Sequence, residues 1–326
     1  MKAVMFVPGP AGAMAEVRDI PQPAPRPGEV LVKVHAAGVN RGELAVRGGL
    51  KSGAPQQSGI EFAGEVTALG DGASGVSVGD RVMGHWRGGQ AEQVAVDPRL
   101  LVPVPQRLSW IEAAAWLNVF VTAHDAMVTN AQLKPGESVL VNAASSGIGV
   151  AALQIARLLG ARPVIGSSRS AAKRSALARY GLEHGIDPAR PDWPEAVKAT
   201  TGGRGVDVVI DSVGGEALPG NIDCLALKGR LVSVGRLGAL RGEIDLDRVA
   251  LNRLHLIGVT FRTRSLEERI ACVQACARDL LPALGDGRIG PVIDRTFPLA
   301  EIAAAHAYME RDSHIGKIVL TVGESA

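Results

Sequence analysis

Residues 138–156 read SVLVNAASSGIGVAALQIA: an apolar run, a turn of small residues, then apolar positions at helical spacing. Strand, tight turn and helix in that order form a phosphate-binding turn. Main-chain N–H groups and the positive end of the helix face the anion, and small residues let the backbone come close. Ala144, Ser146 and Gly149 stand at the three glycine places of GxGxxG. The spelling is degraded, so its weight comes from its β-α-β setting.

That setting continues downstream. RPVIGSS, SAAKRSALARYG, WPEAVKATTG, VDVVID, EALPGNIDCLAL, RLVSVG and HLIGVTF alternate strand with helix. Such alternation predicts an α/β fold, a doubly wound parallel Rossmann sheet with helices on both faces. Residues 1–118 differ. KAVMFV, EVLVKVHAAGV, GIEFAGEVTALG, DRVMGHW and AEQVAVD are short β-segments broken by Gly and Pro, and in the second of them Val30, Val32 and Val34 alternate with Leu31, Lys33 and His35. A compact, mostly β domain is expected there. After the Rossmann segment, helix (266–281), strand (PVIDRTF), helix (299–311) and strand (GKIVLTV) are expected to return to the β domain, making it discontinuous. The expected boundaries are 1–118, 119–262 and 263–326.

With 35 basic and 33 acidic residues the net charge is +2, so no strong field for nucleic acid or anionic lipid is present and small-molecule partners are expected. No apolar run approaches the roughly 20 residues that span a bilayer, and the first 33 residues lack a signal-peptide core; a soluble cytoplasmic protein is expected. Cys224, Cys272 and Cys276 have no framework spacing, which fits a reducing compartment. In ERIACVQACARDLL the last two lie one helical turn apart and read as core, with a metal pair as the other reading.

The strand RPVIG bears on the cofactor. An NAD enzyme places a carboxylate at the end of this strand for the ribose 2′-hydroxyl. Here the chain runs into Ser167, Ser168, Arg169 and Lys173, with no carboxylate available nearby. Hydroxyls and cations suit a 2′-phosphate, so NADPH is expected over NADH. The same residues would also serve as a solvated first turn of the following helix.

SSGIG after a strand also occurs in short-chain dehydrogenases, which need Tyr-x-x-x-Lys. Tyr180 and Tyr308 are followed four places on by His184 and Asp312, so neither fits. From MKAV through PRPGEVLVKVHAAGVNRGEL, GIEFAGEVTALG, VGDRVMG, LKPGESVLVNAASSGIG, TGGRGVDVVIDSVGG and GRLVSVG to HIGKIVL, the chain instead resembles the zinc-independent quinone oxidoreductase branch, which includes zeta-crystallin, of the medium-chain dehydrogenase/reductase superfamily. The resemblance implies that the β domain is GroES-like. In the zinc alcohol dehydrogenases of that superfamily a Cys and a His stand where this chain has Asn40 and Ile60, and a four-cysteine lobe stands where VGDRVMGHW passes directly into GGQAEQVAV. No catalytic or structural zinc is expected. His35, His85 and His124 read as surface or packing residues.

The resemblance further implies that Asn40 sits beside the nicotinamide ribose and substrate, and Thr122 near the nicotinamide. Ser146, Gly147 and Ile148 would line the pyrophosphate, and Lys173 and Arg169, beside Ser168, would hold the 2′-phosphate. Ser212 and Gly235 match strand ends facing adenine and nicotinamide, Phe261 closes over the cofactor, and Lys317 is the C-terminal basic contact. Two departures stand out: Ile186, Asp187 and Pro188 replace a segment that carries a phosphate-contacting tyrosine in some members, and Glu43 is followed by Ala45 rather than by a substrate-facing tyrosine.

The expected activity is hydride transfer from NADPH to a quinone or an α,β-unsaturated carbonyl, the substrate oxygen being met by Asn40, Arg47 or Arg262. Arg47 and Arg262 read equally well as surface arginines, and Glu43 as a structural salt bridge or a proton relay. Two other readings stand beside it. One is an enoyl-thioester reductase, disfavoured by the missing tyrosine donor; the other is a non-catalytic NADPH-binding structural or trafficking protein. A homodimer is expected through pairing of the HLIGVTF edge strands.

Overall fold

The computed structural model describes residues 1–323. The chain divides into two compact units, Met1–Val119 with Ser265–Ala326, and Phe120–Arg264.

The first unit is mostly β. Strands β1 (Lys2–Val7), β2 (Met14–Asp19), β3 (Val30–Val39), β4 (Gln56–Gln57), β5 (Phe62–Leu69), β6 (Arg81–Gly84), β7 (Gln93–Val96) and β8 (Leu101–Pro103) come first. Its long member, β3, pairs antiparallel with β5 over most of its length. Its opposite edge takes β7 near the start and, near the end, a strand from the C-terminal segment. Val30, Val32 and Val34 are buried and Lys33 is exposed, as the alternation predicts; Leu31 is buried as well. Two helices absent from the sequence-based expectation interrupt the strands: α1 (Arg41–Gly49), and α2 (Trp110–Ala114), whose Ser109 and Glu112 form a capping box.

Helix α3 (Leu117–His124) continues as a π-helical stretch over Asp125–Asn130. In the second unit β9 (Val139–Val141), α4 (Gly147–Leu158), β10 (Val164–Ser167), α5 (Ala171–Leu177), β11 (His184–Ile186), α6 (Trp193–Ala199), β12 (Val206–Asp211), α7 (Leu218–Cys224), β13 (Leu225–Ser233), α8 (Leu246–Leu251) and β14 (His255–Gly258) alternate. Every strand pairing is parallel, in the order β11-β10-β9-β12-β13-β14. Counted within the unit this is 3-2-1-4-5-6, the Rossmann order, which reverses between β9 and β12 and opens a crevice at the strand ends there. Leu140, Ile165, Val209 and Leu231, one from each central strand, form the core with Ile222 and Cys224. Burial pushes the Cys224 thiol up to about 12.

The chain then returns to the first unit through α9 (Leu266–Gly285), β15 (Ile293–Pro298), α10 (Ile302–Glu310) and β16 (Lys317–Thr321), and β16 pairs with both β15 and β3. The β domain is discontinuous in sequence. Helix α9 runs one turn past the expected end, with Pro282 in that turn, and Cys276 is buried on it while Cys272 is half-buried. Among the described residues no helix is long and apolar enough to cross a membrane.

Candidate cofactor and substrate site

In the second unit the turn after β9 has the expected shape. Ala143 adopts φ 51°, Ser146 N–H donates to Ala143 O at 2.9 Å, and Ser146 caps α4 by accepting from Gly149 N–H at 3.1 Å. A Cβ on Gly149 would lie 2.5 Å from Ala143 O and 2.7 Å from Ala144 Cα, so only glycine lets helix and turn pack this closely. The first-turn N–H groups of Gly147 and Ile148 have no acceptor within the helix and form the positive end of α4. A pyrophosphate fits this cradle.

Behind the turn lies a buried clamp that sequence reasoning missed. Asn142 accepts from Ser167 Oγ at 2.9 Å and donates to Asn221 Oδ1 at 2.6 Å and Asp211 Oδ1 at 3.3 Å. It joins the ends of β9, β10 and β12. Asp211 also accepts the N–H groups of Val213 and Gly214 at 2.9 and 3.0 Å. Burial raises its pKa, against the pull of those donors. Ser212 is buried just after β12, and Gly235 N–H donates to Asp211 O at 3.1 Å.

At the end of β10, Ser168 is buried, Arg169 exposed and Lys173 half-buried on α5. The structure corrects one expectation here. A carboxylate is at hand after all: Asp187, just past β11, pairs with Arg174 on α5, and the Arg174 guanidinium also donates to Ser168 O. Thr122 is half-buried on α3. Phe261 is half-buried, with the Arg264 guanidinium 4.9 Å from its ring centroid and bonded to buried Asp125 at 2.7 Å. The sequence points to the neighbouring Arg262, which is exposed and whose backbone N–H donates to Thr260 Oγ1 at 3.2 Å.

In the first unit Asn40, Glu43, Glu61, Gln90, Asn118 and Lys317 form a buried polar network. Lys317 Nζ donates to Glu61 Oε1 at 2.5 Å, Asn40 Oδ1 at 2.6 Å and Val39 O at 3.0 Å. All three of its protons are used inside the fold, at the residue for which the resemblance implies a basic cofactor contact. Asn40 is likewise occupied. Its oxygen also accepts from Asn118 Nδ2 at 2.8 Å, and its Nδ2 donates to Glu61 at 2.9 Å, with Glu43 at 3.5 Å. An amide so engaged donates to a substrate oxygen only by breaking one of these bonds, and within this network it fixes the end of β3.

Glu61 Oε2 further accepts the N–H of Asn118 at 3.0 Å, and Asn118 Oδ1 meets His85 Nε2 at 3.0 Å. Burial lowers the pKa of His85, while the charge of Glu61 and the bond to Asn118 raise it. On the other side of Asn40, Glu43 accepts from Gln90 at 2.9 Å and lies 3.7 Å from Nε2 of the fully buried His306. Arg47 lies 3.4 Å from His306 Nδ1 and pairs with Glu310. A guanidinium only donates, so Nδ1 is the accepting atom of that contact, and Nε2 is the ring atom that faces Glu43. Arg47 thus belongs to an ion pair between α1 and α10, and Glu43 is held inside the buried network.

Residues 147–275 match the family described as zinc-binding dehydrogenase, and residues 26–106 the alcohol dehydrogenase GroES-like domain. Quinone oxidoreductase of Rattus norvegicus is 32% identical over 308 residues, covering 93% of this chain and 92% of that protein. Synaptic vesicle membrane protein VAT-1 homolog of Homo sapiens is 32% identical over 319 residues, covering 92% and 81%. A phenolphthiocerol/phthiocerol polyketide synthase of Mycobacterium tuberculosis is 32% identical over 310 residues; 94% of this chain matches, but it spans only 14% of that much longer protein. Among solved structures, mycobacterial Rv1454c complexed with NADPH superposes with a TM-score of 0.88 at 28% identity, covering 98% of this chain and 100% of that one. The CurK enoyl reductase gives 0.87 at 27% identity, covering 99% of each.

Proposed function

Because the chain belongs to the quinone oxidoreductase branch of the medium-chain dehydrogenase/reductase superfamily, we propose that it is an NADPH-dependent, zinc-free reductase of quinones or α,β-unsaturated carbonyls. The observation that carries this reading is the Gly149 cradle at the switch point of a 3-2-1-4-5-6 sheet, with Arg169 and Lys173 past the next strand. Ser146, Gly147 and Ile148 hold the pyrophosphate. Lys173 and Arg169 hold the 2′-phosphate, and Thr122, Ser212, Gly235 and Phe261 orient the rest of the cofactor. The likeness to a structure complexed with NADPH supports the choice of dinucleotide.

When bound, NADPH supplies the hydride. The protein aligns an electron-poor acceptor and offers fixed charge where negative charge develops on its oxygen. Arg262 is the remaining candidate for that oxygen, since Asn40 and Arg47 are engaged elsewhere; the proton comes from water.

A catalytic Zn²⁺ does not fit these residues. Asn40 and Ile60 supply neither thiolate nor imidazole, and the Lys317 ammonium sits 2.6 Å from Asn40 Oδ1, a cation where a metal would need an anion. This reading departs from the name of the matched family, and metal analysis of the purified protein tests it directly. Less than a tenth of an equivalent of zinc, with unchanged turnover after chelation, is the expected result.

An enoyl-thioester reductase is the second reading, favoured by the likeness to CurK and to the polyketide synthase. Crotonyl-CoA turned over faster than any quinone would select it. A homodimer through β14, at the edge of its sheet and largely exposed, completes the proposal.

A further inference from the structure

The end of β10 carries an ion pair that the function above leaves unused. Arg174 Nη1 lies 3.2 Å from Asp187 Oδ2, and the same guanidinium donates to the carbonyl of Ser168. Both partners are built into place. Asp187 turns its other oxygen to Ala189 N–H at 3.1 Å, which fixes the carboxylate at the start of the turn after β11. On β11 a Cβ at Gly185 would lie 3.0 Å from Arg174 Cβ and 3.2 Å from its Cδ, so the missing side chain leaves a bed for the arginine stem. The two side chains are only 20% and 27% exposed, and water screens them incompletely.

In a sheet of this order the second strand ends at the adenosine ribose. A carboxylate there holds a 2′-hydroxyl and repels a 2′-phosphate. β10 is that strand, and it carries no acid of its own, but β11 delivers one beside it. We propose that Arg174 is a specificity-determining residue: by cancelling the charge of Asp187 it keeps the end of β10 acceptable to a 2′-phosphate. Removing the cation would leave an uncompensated carboxylate beside that place and shift the preference toward NADH. The inference rests on the NADPH reading above, and extends it from the expected contacts, Arg169 and Lys173, to a pair that does not have to touch the phosphate.

Dissociation constants for NADPH and NADH, read from nicotinamide fluorescence at low salt, test it in the wild type, Arg174→Gln, Asp187→Asn and the double variant. The expected result is a wild type that prefers NADPH, with that preference lowered about tenfold in Arg174→Gln and restored to within about twofold in the double variant. Asp187→Asn alone is expected to raise the preference. Equal weakening of both dinucleotides by Arg174→Gln, or a double variant no better than Arg174→Gln, would overturn the charge-cancelling role and leave the NADPH reading standing. Should Arg174→Gln fail to fold, Asp187→Asn decides, since an unchanged preference there would overturn the proposal. A wild type that binds NADH as tightly as NADPH would overturn the cofactor reading itself, and this inference with it.

Discussion

Lys317 Nζ lies 2.5 Å from Glu61 Oε1, and the two side chains are 4% and 1% exposed. A pair this deep holds only because each charge has further partners: Val39 and Asn40 for the ammonium, Asn40 and the Asn118 N–H for the carboxylate. Removing one partner strands the other, which typically costs about 3–5 kcal/mol. Lys317→Met and Glu61→Gln are each expected to lower unfolding free energy in urea by that order, and Lys317→Met with Glu61→Leu to lose less than the sum. If Lys317 instead served the cofactor directly, Lys317→Met would raise the Kd for NADPH while leaving stability intact.

The phosphate turn yields a sharper contrast. Gly149→Ala drives a methyl against Ala143 O, backbone that cannot yield without moving the turn. Overpacking of this kind costs about 1–3 kcal/mol, and here it is expected to weaken NADPH and NADH alike by at least tenfold. Ser146→Ala removes only a cap, for about 1 kcal/mol. Thermal melts and dinucleotide titration on the two variants check both statements.

The cations past β10 are expected to discriminate. Lys173→Ala combined with Arg169→Ala should raise KM for NADPH at least tenfold more than KM for NADH, since only the former carries the phosphate they would meet. Steady-state kinetics with each dinucleotide read this out, and equal changes would remove the assignment.

His85 makes stability depend on pH. Burial lowers its pKa below the ordinary 6.5, so the unfolded chain takes up a proton before the folded one does. The stability it contributes is full above 6.5 and is lost as pH falls through the lowered folded value. Tm is therefore expected to fall between about pH 7 and about pH 5, and to fall less in His85→Gln, which keeps a donor for Asn118. Parallel curves would mean that other groups carry the acid sensitivity.

The second unit was legible because its signals are local. The turn at 142–149 and each β-α pair are written within a few residues, and parallel strands buried on both faces read as unbroken apolar runs. In the first unit the strands of β3 and β5 could be read from alternation, but α1 could not. Arg41–Gly49 holds three glycines and buries only Glu43, so no apolar stripe announces it. The polar networks were hidden for a different reason. Lys317 meets Glu61 across 256 positions, and Asn142 meets Asn221 across 79, separations that only the closed sheets bring together. Glu61 follows Ile60 in GIEFAGEVTALG, yet nothing local marks it as the partner of a lysine. Pro188 stands where some members carry a phosphate-contacting tyrosine, but the pairing of Asp187 beside it with Arg174 depends on β11 lying next to β10.

The most direct test is NADPH oxidation by the purified, EDTA-treated protein against 1,2- and 1,4-quinones, 2-enals, 2-enones and crotonyl-CoA. Turnover of a quinone or enone with NADPH, undiminished by the chelator, is the expected result. Turnover abolished by the chelator, or tight NADPH binding with no turnover of any acceptor, would contradict it.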